Sequence, residues 1–143
     1  MQMELDMTKL MILLQRKYSS IREIDRLTKE LEDAFARNDD VSAAMLLEMR
    51  AEEMAKVDNC VGEIWQQGES DRRALQKLKV LMTSDPARAA GESPEEEKIY
   101  EIRRKTQTLL EKLRKADEKL NRSVTRDKSF YGPGVKARQP VSL

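Results

Sequence analysis

The chain predicts an all-α fold: an elongated up-down-up bundle of three long antiparallel helices with a flexible C-terminal tail. Two observations carry this. Apolar residues recur at alternating steps of three and four along three long stretches, and only two short polar connectors separate those stretches. Such spacing draws a narrow apolar stripe along one side of an α-helix, and the stripe must be buried against another helix. Composition points the same way. Aromatic residues make up 4% and charged residues 37%, so the core must be thin, aliphatic and elongated. Five Gly and four Pro leave little material for many tight turns, whereas a compact α/β enzyme usually carries more Gly and aromatics. A length of 143 residues suits one domain, with a bundle over 1–128 and a disordered tail over 129–143.

The first helix is predicted over about residues 3–37, roughly 50 Å at 1.5 Å per residue. Met3, Met7, Leu10, Leu14, Ile21, Ile24, Leu31 and Phe35 keep its rhythm. Asn38, Asp39 and Asp40 then favour a turn, and Asp39 or Asp40 can accept the free N–H groups of the next helix. A connection this short makes neighbouring helices antiparallel. The second helix is predicted over about residues 40–82. Gly68 and Ser70 offer a stop and a new N-cap, but the rhythm Val61, Ile64, Gly68, Asp71, Leu75, Leu78, Met82 passes through without a phase slip, which favours one helix weakened at Gly68. Residues 84–93, SDPARAAGES, form the second connector. Ser93, Pro94 and Glu96 then give a capping box with Pro at the first helical position, and Glu95, Glu96 and Glu97 complement the helix dipole. The third helix is predicted over about residues 94–126, with Ile99, Ile102, Leu109, Leu113, Ala116 and Leu120 on its stripe.

The same residues leave little room for catalysis. The absence of histidine removes the usual general base and the commonest metal ligand. Cys60 has no histidine partner and no second cysteine, so a buried small hydrophobe is expected. No phosphate-cradling glycine pattern occurs. Glu48, Glu52 and Glu53 cluster on the second helix, but a two-metal bundle site requires Glu-x-x-His steps, and these carboxylates read as a solvated face paired with Arg50 and Lys56. No enzyme activity, cofactor or metal is expected. Lys and Arg total 27 against 26 Asp and Glu, which gives no electrostatic drive toward nucleic acid. Arg126, Lys128, Lys136 and Arg138 against Asp127 make the tail locally basic. No run approaches a membrane span, the N-terminal stretch lacks signal-peptide order, and a single thiol suits a reducing compartment. A cytoplasmic location is expected.

Binding signals are more positive. Eight Met lie largely on or beside the stripes, where they either fill irregular gaps or adapt to varied partners. Trp65 flanks the second stripe, as a core edge or as an anchor for a partner helix. Phe130 and Tyr131 are adjacent aromatics in a chain that has few.

The layout resembles the flagellar export chaperones of the FlgN/FliT type. ARNDDVSAAMLLEMRAEEMAKVDNCV is similar to that family's acidic turn followed by a helix, and EKLNRSVTRDKSFYGPG resembles its asparagine-containing final helix running into a tyrosine. Arg122, Thr125, Arg126 and Asp127 stand where such chaperones carry apolar residues. The resemblance implies a type III secretion chaperone that covers amphipathic terminal helices of hook-associated or filament-cap subunits and delivers them to the export apparatus. It implies a cargo cleft on Leu109, Leu113, Ala116, Leu120 and Val124, and docking to the export gate through Tyr131. The alternative is a structural coiled-coil adaptor or a self-associating bundle, such as a homodimer, with no export role.

Overall fold

Four α-helices, with no strand among the described residues, form the computed structural model, which describes residues 5–128 and side chains as far as Arg122. They are α1 (Met7–Ala36), α2 (Asp40–Gln66), α3 (Arg72–Thr83) and α4 (Pro94–Lys128). The fold is all-α as predicted, but the expected single helix over 40–82 is two helices.

Each start is fixed by a side-chain cap. Asp6 accepts from the Lys9 N–H at 3.0 Å, Asp39 from Ser42 at 3.1 Å, Asp71 from Arg73 at 2.8 Å, and Ser93 from Glu96 at 3.1 Å. These bonds satisfy N–H groups that a helix start otherwise leaves unpaired. Asn38 takes the left-handed conformation, φ 57°, that turns the chain from α1 into α2, a region in which Asn is tolerated better than most residues. At α4 the capping box is half formed. Ser93 caps as expected, whereas Glu96 reaches the Glu92 N–H at 3.5 Å instead of returning to Ser93.

The break after Gln66 has a local cause. A turn over residues 67–70 precedes the Asp71 cap, and at Gly68 a Cβ would lie 2.9 Å from the Leu75 Cα. Glycine there lets the backbone of α3 close onto the end of α2. The rhythm survives the break because both helices face one core: Ile64 of α2 and Ala74, Leu78 and Leu81 of α3 are buried together with Leu10, Leu13 and Leu14 of α1 and Ile99, Tyr100 and Ile102 of α4.

Two further clusters continue the core. Ile21 and Ile24 meet Leu113, flanked by Met54 and Val57. Leu31 and Ala34 meet Ala43 and Leu120. The start of α1 thus lies with the end of α2, and the end of α1 with the start of α2. α1 packs along both α2 and α4, and α3 touches α4, but α2 and α4 form no close backbone seam with each other. No helix among the described residues is long and apolar enough to cross a membrane.

Candidate functional site

Because α2 and α4 stay apart, α1 becomes the floor of an open groove whose walls they supply. Two adjoining cavities, about 490 and 450 Å³, mark it. Both are bordered by Lys17 of α1, Val61 of α2 and Leu110 of α4. Leu14, Ile64, Trp65 and Met82 add apolar lining at one end, and Ile21, Ile24, Met54 and Val57 at the other. From Leu14 to Ile24 the floor spans about 15 Å, or roughly three helical turns. The lining mixes these apolar side chains with about as many polar ones, among them Lys17, Asp58, Asp85, Arg103, Arg114 and Glu118, and it is open along its length.

One polar bridge ties the walls together. Arg50 of α2 and Asp117 of α4 form an ion pair through Nη2 and Oδ1, with both side chains almost wholly buried. Among the described residues the Arg50 Nε has no hydrogen-bond partner. Burial lowers the Arg50 pKa and raises that of Asp117, in each case against the attraction of the partner. Loss of hydration therefore outweighs the pairing, as is common for buried ion pairs. The expected pairing of Arg50 with the glutamates of its own helix is corrected: Lys56 does bond Glu53, at 2.8 Å, but Arg50 turns inward.

A second cationic feature is unpaired. Lys17 is half-buried in the groove with no carboxylate partner among the described residues, and burial first, then the neighbouring Arg103, pushes its pKa down. Arg103 Nη1 donates to the carbonyls of Leu81 at 2.8 Å and Ser84 at 2.7 Å, closing the end of α3. Its Nε and Nη2 make no hydrogen bond among the described residues.

Among the described residues, none of those predicted as a cargo stripe borders either cavity. Leu113 is wholly buried against Ile21 and Ile24, and Leu120 against Leu31, Ala34 and Ala43. Leu109 and Ala116 are half-buried. α4 lines the groove with the adjacent row, Arg103, Thr106, Leu110, Arg114, Asp117 and Asn121. The side chain of Val124 and all of Tyr131 lie outside the described residues. Trp65 is half-buried at the groove's edge.

Away from the groove, Val41, Met45 and Met49 are exposed at one-turn spacing on α2. Cys60 is buried, and burial pushes its thiol up, away from the reactive thiolate. No group of three His, Cys, Asp or Glu among the described residues is placed to hold a metal ion. No family model, no curated protein and no solved structure matches this chain.

Proposed function

We propose that this chain is a non-enzymatic, cytoplasmic chaperone of the flagellar type III export kind, with its three long helices acting as one up-down-up unit. In this reading it holds an amphipathic terminal helix of a hook-associated or filament-cap subunit and passes it to the export gate, with Tyr131 as the docking residue. The observation that carries it is the groove between α2 and α4. An amphipathic helix laid over α1 would fill the place where a fourth helix of a bundle packs, covering Val61, Leu110, Ile21 and Met54. Cargo would meet the row containing Leu110, while Leu113 supports that row from below.

Co-expression with the hook-associated and filament-cap subunits of the source organism tests this. A 1:1 complex is expected in size-exclusion chromatography with light scattering, and Leu110→Glu should abolish it while leaving the circular dichroism spectrum unchanged. Failure to form a complex with any of these subunits would sink the reading.

A second reading, a structural adaptor or self-associating bundle, is favoured by the exposed Val41, Met45 and Met49. Exposed apolar rows of this kind mark contact surfaces. A strictly monomeric mass at high protein concentration would count against it.

A further inference from the structure

The groove is apolar along most of its floor, but its Trp65 end carries two cations, Lys17 and Arg103, and among the described residues bordering that end Asp85 alone brings a negative charge, which acts on Arg103. Among the described residues Lys17 has no carboxylate partner, and Arg103 retains free donors after bonding two carbonyls. Among the described residues Asp85 is the one carboxylate bordering that cavity, and Asp58, Asp117 and Glu118 border the adjoining one. The charge of Asp85 is shared: it attracts Arg103 without an ion-pair contact, accepts from the Ala87 N–H at 3.0 Å and faces Arg88 at 3.8 Å, and it makes no ion pair with Lys17. We propose that the groove selects an amphipathic helix bearing a carboxylate side chain that sits between Lys17 and Arg103. This rests on the helix-binding reading and specifies the chemistry of the occupant.

The geometry sets a pattern for that helix. Lys17 lies one turn from Leu14 and one turn from Ile21 on α1, so the carboxylate must be flanked at steps of three or four by apolar side chains. One of these meets Leu14, Ile64 and Trp65, and the other meets Ile21, Val61 and Leu110. An uncharged residue at the central position would leave a half-buried ammonium without a partner, which is unfavourable. Charge also argues against occupation by the chain's own C-terminal segment. Residues 129–143 contain Lys136 and Arg138 and no Asp or Glu, so their side chains present the wrong sign.

The chain has one tryptophan, Trp65, on the groove wall, which provides a direct reporter. Three tryptophan-free peptides of about 18 residues are long enough to cover the floor. They share a leucine stripe and differ only in a central Glu, Gln or Lys. Titrated against the full chain with Trp65 emission as readout, the Glu peptide should bind about tenfold more tightly than the Gln peptide, and the Lys peptide most weakly. Lys17→Met should bring the Glu-to-Gln ratio near one, and Lys17→Glu should invert the preference toward Lys. High salt should shrink the wild-type ratio.

Equal affinities for the Glu and Gln peptides in wild type would overturn acidic selection while leaving the groove as a helix site. Silence of Trp65 toward all three peptides, with folding intact by circular dichroism, would overturn the docking reading itself. A Trp65 signal that depends on protein concentration alone, with doubling of the mass, would make a second copy the occupant and overturn the proposal.

Discussion

α2 runs beside both α1 and α4 and meets them in different ways. Against α1 it forms an apolar seam in which Ile21, Ile24, Leu31, Ala34 and Ala43 are buried and Met54, Val57, Leu46 and Leu47 pack at the edges. Toward α4 it offers one buried ion pair, apolar packing confined to shared clusters such as Ala43 with Leu120, and an open groove. The residue types on the two sides are much alike. A three-four stripe becomes core where the neighbouring backbone closes on it, and a binding surface where the neighbour stands off. Stability should therefore reside in the first seam and partner selection in the second.

Breaking the bridge gives the largest expected effect. Asp117→Leu leaves Arg50 buried without a counter-ion and should destabilise the fold by about 3–5 kcal/mol. Replacing both, as Arg50→Met with Asp117→Leu, should be neutral or stabilising by about 1–4 kcal/mol. Urea denaturation of the single and double variants measures this. A double variant as damaged as the single would mean that the bridge contributes net attraction.

The two rows of α4 should separate next. Leu113→Ala removes a wholly buried side chain and should cost about 2–5 kcal/mol. Leu110→Ala, half-buried on the groove wall, should cost about 1 kcal/mol or less while weakening capture of an amphipathic helix. Equal losses of stability would erase the distinction between core row and groove row. Smaller than the loss at Leu113 is the effect expected at the joint between α2 and α3. The 2.9 Å approach of a Cβ at Gly68 to the Leu75 backbone makes Gly68→Ala an overpacking change of about 1–3 kcal/mol. A gain in thermal midpoint instead would show that the joint can open without loss.

How much of this was legible depends on the residue. Helix starts at Asp39 and Ser93 were readable because capping is local chemistry. The break at Gly68 was not, because two helices facing one core keep the same phase that one continuous helix would keep. The groove was half legible. Leu47, Arg50, Met54, Val57, Val61 and Ile64 run at unbroken steps of three and four, and so do Leu10, Leu14, Lys17, Ile21 and Ile24. On α4 the run is Ile99, Arg103, Thr106, Leu110, Leu113, Asp117 and Leu120. In each helix a charge occupies a stripe position. Counting apolar residues alone passes over Arg50, Lys17, Arg103 and Asp117, the side chains that give the groove its polar character. Which charges would pair and which would stay open depends on the separation of α2 and α4, which only the three-dimensional packing supplies.

The bridge also makes a prediction about pH that needs no partner. The Asp117 carboxyl is raised above its ordinary value by burial, against the pull of Arg50. The folded chain therefore holds that proton more tightly than the unfolded chain, in which an aspartate titrates near about 3.9. A group of this kind contributes most stability below the unfolded value, and the contribution is lost as pH rises through the folded value. Other carboxylates shift oppositely: Asp39 is lowered, chiefly by its hydrogen bond to Ser42, and loses its contribution as pH falls. Comparing wild type with the Arg50→Met, Asp117→Leu double variant subtracts these common terms. Urea midpoints measured from about pH 4 to pH 7 should show wild type losing ground to the double variant as pH rises. The opposite slope would mean that attraction across the bridge exceeds the loss of hydration, so that the seam between α2 and α4 is held shut at this point by its charges instead of tolerating them.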